Sequence, residues 1–499
     1  MKFLVKDMDI ATGGVKVALL NEKDANKLDL HHNDRIIVRK GKKQTTAILD
    51  IAESSKAVPP GKIGLFEEVL DATSAVQNDT VEITTAKKPA SVSYIKKKLD
   101  GKALNYEETY AIIKDIVEDN LTSIELTTYI DANYIRGMTL KEIIDSTKAM
   151  VATGSKIEIK KKTVVDVHGI GGVPGNRTTP IIVAILVAAG LTVPKTSSRA
   201  ITSPSGTADT MDIFCNVAIS IPKLKKILDR VGGFMVWGGA EQINLAPADD
   251  KIIRIEHPLE IDAEGQMLAS IMAKKASVGA THLLLEMSVG KNAKLKTHKE
   301  AKLLGKKFRV LGNELGIKVA FFTADGSQPI GNGIGPALEA RDLLQVLTKD
   351  PNAPKDLREK SIKMAAMLLE FTSRVHVGKG KKFAARMIEN GAAYNAFLRI
   401  IRAQGGKELT QDEIPIGKFT HSFKSKKTGR IVEIDNKITT KICRVAGAPS
   451  DHGAGIYFYK KKGALVKAGD KLFTVYSQNE EELGYAIECA KQFRLMRIE

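Results

Sequence analysis

Residues 164–190, VVDVHGIGGVPGNRTTPIIVAILVAAG, pass from a β-branched segment through a turn almost bare of side chains into a long apolar stretch. Thr163, Val164, Val165 and Val167 suit a buried strand, and from Thr179 to Ala189 the apolar residues are too dense for anything but a helix packed on both sides. Gly169, Gly171, Gly172 and Gly175 can take positive φ and let an anion approach the amides. Asn176 stands where a cap would, and Pro180 falls in the first helical turn. Free N–H groups and a positive dipole end make phosphate the most economical ligand. Close packing is the competing reason for the glycines. Neither familiar nucleotide loop fits: a dinucleotide fingerprint needs glycine where Pro174 stands, and a P-loop needs Gly-Lys-Ser/Thr where the chain reads Gly175, Asn176, Arg177, Thr178.

Around this unit the patterning predicts a multidomain α/β chain. Residues 1–88 alternate short β-type runs (KVALL, RIIVRK, TTAILDI, TVEIT) with turn signals, as in an N-terminal β-barrel-like domain. Residues 89–160 carry amphipathic helices such as ETYAIIKDIVEDNL and TLKEIIDSTKAMVA, a small helical domain completed by a segment near 246–277. Over 161–410, strands such as HLLLEMSV and KVAFFTA alternate with helices, which predicts a central, mainly parallel α/β sheet domain. Residues 411–499 predict a separate C-terminal α+β module with strands GRIVEID, KITTKICRV, GIYFYKK and KLFTVYS.

The net charge of +18 raises the question of nucleic acid, but the lysines fall in short scattered runs without interleaved aromatics, and only 5% of the chain is aromatic. A basic surface, or a field that draws in phosphorylated small molecules, fits better. A basic nucleic-acid-binding protein stays as the non-enzyme alternative. Cys215, Cys443 and Cys489 form no C-x-x-C, and no His pair has zinc spacing, so no metal site is expected. The start MKFLVKDMDIATGG lacks an apolar signal region and no run is long enough to cross a bilayer, so a cytoplasmic location without a membrane partner is expected.

A second polar cluster, PKTSSRAITSPSGTADTMDIF at 194–214, crowds Ser197, Ser198, Arg199, Thr202, Ser203, Ser205 and Thr207 at the end of a predicted strand, ahead of a helix starting near Gly206. Hydroxyls and a guanidinium there suit phosphate; an ordinary Ser/Thr loop is the plainer alternative.

Taken in order, DVHGIGGVPGN, TSSRAITSPSGTADTMD, NLAPADDKIIR, IDAEGQMLASIMAKKASVGATHLLLEMSVG and IENGAAYNAFLRIIRAQGG resemble the phosphorylase family that contains thymidine phosphorylase, pyrimidine-nucleoside phosphorylase and archaeal AMP phosphorylase. The likeness covers about 91–499, and the β-rich segment 1–88 is similar to the AMP phosphorylase branch. Val167 and Gly169 stand where thymidine phosphorylase has Lys and Ser, a departure that also resembles the AMP branch.

The resemblance implies phosphorolysis of AMP, and of CMP and UMP, to free base and ribose 1,5-bisphosphate, with inorganic phosphate as co-substrate, no cofactor and no nucleic acid. Its enzyme alternative is a pyrimidine-nucleoside phosphorylase acting on unphosphorylated nucleosides. Asp262 is implied as the proton donor, against a purely local reading as a helix N-cap. Gly172, Ser198, Arg199, Ala200, Ile201, Thr202, Ser203, Thr207, Ser270 and Lys294 are implied to bind nucleotide or phosphate. His168, Gly169, Gly171 and Lys274 are further candidates. Ser270 and Lys274, four apart, share a helix face, whereas Lys294 beside Lys291 and Lys296 could equally be a solvated loop lysine. A homodimer or larger homo-oligomer is implied as well.

Overall fold

The computed structural model describes all residues except Gly171, Ile201, Thr202, Glu260 and Asp262, together with the side chains of 257 and 259. The chain forms two compact units, residues 1–154 with 246–270, and residues 155–245 with 271–499.

In the first unit six strands close into a barrel in the order β1-β5-β2-β4-β3-β6: β1 (Lys2–Asp7), β2 (Val17–Asn21), β3 (Arg35–Lys40), β4 (Lys43–Ala52), β5 (Lys62–Leu65) and β6 (Thr80–Thr85). Alternating residues such as Phe3, Val5, Leu20, Ile36, Val38, Leu49 and Ile63 fill its interior, and closure leaves no sheet edge unpaired. Two short helices, α1 (Glu22–Lys27) and α2 (Glu67–Thr73), join its strands. Four helices follow: α3 (Ala90–Leu99), α4 (Tyr106–Val117), α5 (Ser123–Arg136) and α6 (Leu140–Thr153). The last three begin with reciprocal capping boxes, Asn105 with Glu108, Thr122 with Glu125 and Thr139 with Glu142. Glu142 also pairs with buried Lys98 at 2.7 Å, and barrel residue Arg35 pairs with Glu125 of α5.

The second unit opens with β7 (Val165–Ile170), α7 (Thr178–Ala188), β8 (Val193–Ser197), α8 (Thr207–Asp212), α9 (Ile221–Val231) and β9 (Gly233–Trp237). Helix α10 (Pro247–Leu259) belongs to the first unit and packs on α4, α5 and α6, while α11 (Glu264–Ser277) spans the boundary at residues 270 and 271. Strand β10 (His282–Val289), α12 (His298–Glu314) and β11 (Lys318–Asp325) complete a parallel sheet, β11-β10-β7, which a parallel bridge from Val164 to Thr192 links to the parallel pair β8-β9. Helix α7 is apolar on every side because every side is covered: Ile181 to Leu186 are all buried, against α14 and α16 among others.

After β12 (Gly333–Ile334) come α13 (Pro336–Thr348), α14 (Lys355–Phe371), α15 (Gly380–Glu389) and α16 (Ala392–Ala403). The C-terminal part contains β13 (Phe419–Lys424), β14 (Gly429–Ile434), α17 (Asn436–Val445), β15 (Gly455–Phe458), β16 (Leu465–Val466), β17 (Lys471–Ser477), α18 (Glu480–Gln492) and β18 (Met496–Ile498). One sequence expectation is corrected here. KITTKICRV is the helix α17 rather than a strand: the Asp435 carboxylate accepts from the Lys437 and Ile438 amides, and Thr439, Ile442 and Cys443 turn inward at helical spacing. In the C-terminal part, β12 joins the antiparallel sheet β12-β15-β17-β13.

Among the described residues no helix is long and apolar enough to cross a membrane.

Candidate active site

The glycine turn leaves the carboxyl end of β7, the edge at which ligands approach open α/β sheets. Its glycines serve different needs. Gly172 and Gly175 have φ of 62° and 71°, the left-handed region that favours glycine. A Cβ on Gly175 would also lie 2.1 Å from the Ile330 carbonyl, so packing fixes that position as well. Gly169 has no positive φ; there a Cβ would meet Glu286 Oε2 at 3.0 Å. Gly171 lies outside the described residues.

Asn176 is not the cap that its place suggests. Its amide donates to Glu286 Oε2 at 2.9 Å and its carbonyl accepts from Lys360 Nζ at 3.1 Å, while the cap position of α7 falls on Arg177, whose side chain points elsewhere. Lys360 in turn pairs with Glu286 at 2.9 Å, tying the turn to β10 and α14.

Arg177, 7% exposed, joins the glycine turn to the Ser/Thr loop. Its Nε donates to Glu339 Oε2 at 2.5 Å, its Nη1 to Thr207 Oγ1 at 2.9 Å and its Nη2 to the Ser205 carbonyl at 2.8 Å. Burial raises the Glu339 carboxyl while Arg177 pulls it back. Thr207 opens α8 after Gly206, where a Cβ would come 2.6 Å from the Ser198 carbonyl. Asp209 closes the loop on itself, accepting from the Gly206 amide at 2.8 Å, the Ala200 amide at 2.7 Å and Arg199 Nη1 at 3.0 Å. Arg199 also reaches Asp212 at 2.8 Å and lies 5.0 Å over the Trp237 ring. Its guanidinium is therefore committed to two carboxylates, and only a remaining N–H could meet an anion. Ser203 Oγ donates to the Ser205 carbonyl at 2.7 Å, and Ser198 is exposed. Ile201 and Thr202 lie outside the described residues.

His168 lies on β7 on the same face as Asp166 and Ile170. Burial pushes its imidazole well below the usual histidine range, and Lys275, Lys195, Lys274 and Lys294 push in the same direction. It is neutral at pH 7 and can offer an N–H but no charge. Lys294 is exposed in the loop after β10, and Lys274 is half-buried on α11. Ser270 shares the face of Lys274 on that helix but belongs to the first compact unit; Asp262 lies outside the described residues. Among the described residues no cluster of three or more His, Cys, Asp or Glu side chains could hold a metal.

Three family models match in order along the chain: the glycosyl transferase family helical bundle domain over 92–154, the glycosyl transferase family a/b domain over 161–394, and the pyrimidine nucleoside phosphorylase C-terminal domain over 431–494. AMP phosphorylase of Thermococcus kodakarensis is 43% identical over 100% of this chain and 98% of its own length. The chain belongs to the AMP phosphorylase family.

Two other members of the AMP phosphorylase family are similarly close. AMP phosphorylase of Methanocella arvoryzae is 42% identical over 100% of this chain and 98% of its own, and AMP phosphorylase 1 of Archaeoglobus fulgidus is 43% identical over 95% and 93%. Among solved structures, anthranilate phosphoribosyltransferase of Thermus thermophilus overlays with a TM-score of 0.52 at 14% identity, covering 63% of this chain and 99% of that one, a likeness of fold alone. Against this membership, the site contains residues that sequence reasoning passed over: Arg177, Asp209, Glu286, Glu339 and Lys360. Their signal was faint, since nothing in the local stretch marks the distant partner that each charge takes. A charged residue at a position patterned for burial asks for a partner, and only the fold supplies it.

Proposed function

We propose that the chain catalyses phosphorolysis of AMP, giving adenine and ribose 1,5-bisphosphate, and acts on CMP and UMP by the same chemistry. The observation that carries the reading is the Arg177–Thr207 hydrogen bond of 2.9 Å, which locks two anion-suited loops, from the ends of β7 and β8, into one assembly. A nucleoside monophosphate and inorganic phosphate bring two anions to one reaction, and two joined loops are suited to that pair. An oxygen of inorganic phosphate bonds to C1′ of the ribose as the C1′–N9 bond breaks, and the bonding pair leaves with adenine. Adenine is a poor anionic leaving group, so Asp262 is assigned to deliver a proton to N7. Gly172, the segment 198–203, Thr207, Ser270 and Lys294 are assigned to the nucleotide and phosphate, with His168, Gly169, Gly171 and Lys274 as supporting candidates.

Inorganic phosphate is the only co-substrate the reaction requires, with no cofactor. The working form is a homodimer or larger assembly in the cytoplasm. One finding favours a second reading: the C-terminal model is named for pyrimidine nucleoside phosphorylase, an activity on unphosphorylated nucleosides. Phosphate-dependent base release from AMP, adenosine and thymidine, measured side by side, separates the two. Release from AMP but not from the nucleosides supports the first reading, and the reverse supports the second.

A further inference from the structure

Beneath the site lie three buried ionisable side chains that play no part in the loop interactions above. Asp166 on β7, Lys195 on β8 and Lys275 on α11 are 0%, 3% and 2% exposed. Lys195 Nζ stands 3.3 Å from Asp166 Oδ1, and Lys275 Nζ 2.8 Å from Asp166 Oδ2. One carboxylate thus serves two ammoniums. Among the described residues, the buried carboxylates Glu286 and Glu339 are already paired, with Lys360 and Arg177. Among the described residues, protonation of both lysines therefore leaves this three-residue cluster with one surplus positive charge.

The strand pleat fixes where that charge points. Asp166 and His168 share one face of β7, and Lys195 and Ser197 share one face of β8. Same-face neighbours on a strand are about 6.6 Å apart, so Lys195 lies one pleat behind Ser197, the last residue of β8, and Asp166 two pleats behind Ile170, the last residue of β7. Lys195 and Lys275 are among the charges that, after burial, push the His168 imidazole down, so their field is felt along β7. A second ammonium beside an already paired carboxylate is costly in a packed interior, and an apolar side chain would fill the space with less penalty. An anion bound at the loops would compensate it.

We propose that Lys195 and Lys275, sharing Asp166 between them, form the electrostatic floor of the anion site and hold a phosphate dianion above the ends of β7 and β8. The proposal rests on the phosphorolysis reading and deepens it by naming what attracts the anion. The dianion has two possible sources of one chemistry, inorganic phosphate and the 5′-phosphate of the nucleotide.

The test uses the full chain carrying Lys195→Met, which keeps the length of the side chain and removes its charge, with Lys275→Met as a second removal of the same surplus. KM for inorganic phosphate at saturating AMP, KM for AMP at saturating phosphate, and Tm without ligands are measured for each. The expected result is a rise of roughly tenfold or more in one KM, with Tm equal to or above that of the native chain. A rise confined to phosphate identifies inorganic phosphate as the occupant; a rise confined to AMP identifies the 5′-phosphate. Both KM values within about twofold of native in a folded variant would overturn the proposal. So would a fall in kcat alone, or a loss of folding in both variants, which would make the cluster a structural ion pair. If the native chain releases no base from AMP, the phosphorolysis reading fails by itself, and calorimetric binding of inorganic phosphate to native and variant chains still decides whether the lysines hold an anion.

Discussion

Arg177 and Glu339 are 162 residues apart in sequence, yet form a buried ion pair with Nε 2.5 Å from Oε2, and the same guanidinium holds the Thr207 hydroxyl. Glu339→Ala leaves that guanidinium buried and uncompensated, a change that costs about 3–5 kcal/mol in comparable pairs. Thermal or denaturant unfolding should show a loss of that size. Because Thr207 loses its anchored partner, KM for AMP should rise in whatever folded protein remains. Native-like stability would mean that water reaches the pair.

The glycines of the turn should separate by mechanism. Gly175→Ala drives a Cβ into the Ile330 carbonyl, so it should lower Tm sharply. Gly172→Val should leave a folded chain with weakened or abolished activity, since a branched residue resists a φ of 62° and fills the anion's approach. Circular dichroism melts and a base-release assay on both variants check this, and a Gly172→Val chain that unfolds at moderate temperature would assign that glycine to packing.

Asp262→Asn preserves shape and removes the acid. Turnover of AMP should fall by roughly 10²-fold or more, as expected for a positioned general acid. A carboxylate that merely capped a helix would be replaced well by Asn, so near-native turnover would remove Asp262 from the mechanism.

Burial, against the pull of Asp166, lowers the Lys195 ammonium to about 7. The charged groups that act on it are Asp166 of β7, which pulls it up, and Lys275 of α11, which pushes it down. An unfolded lysine titrates near 10.4, so between about pH 7 and 10 the unfolded chain binds the extra proton and this group's destabilising effect fades as pH rises. Lys195→Met lacks that dependence. Its Tm advantage over the native chain should be largest at pH 6 to 7 and smallest at pH 9 to 10, as melts across that range would show.

A chain beginning at Lys88 should assemble into a smaller oligomer and retain phosphorolysis per site, because the barrel carries none of the assigned residues. It should be less heat-stable, since Glu125 loses the buried Arg35 that the barrel supplies. Sedimentation with a base-release assay decides this: unchanged assembly would refute the oligomer role, and a folded but inactive chain would bring the barrel into the site.

Local signals made much of this architecture legible in the sequence. HLLLEMSV and KVAFFTA, bounded by polar turns, fall within β10 and β11, and Gly206 does open α8. KITTKICRV misled because β-branched content outweighed the capping aspartate before it, although Ile438, Ile442 and Val445 keep helical spacing. Asn176 misled because a capping residue type was recruited by Glu286, a partner 110 residues away. The buried pairs Arg177–Glu339, Lys360–Glu286 and Lys195–Asp166 were illegible for the same reason: each partner is set by strand order and helix packing, which no local window contains.

The most direct test is to incubate the full chain with AMP, with and without inorganic phosphate, and quantify both adenine and the sugar product, with adenosine in parallel. Phosphorolysis predicts adenine and ribose 1,5-bisphosphate in equal amounts from AMP, none without phosphate, and none from adenosine. Adenine released without phosphate, or base released from adenosine but not from AMP, would contradict it.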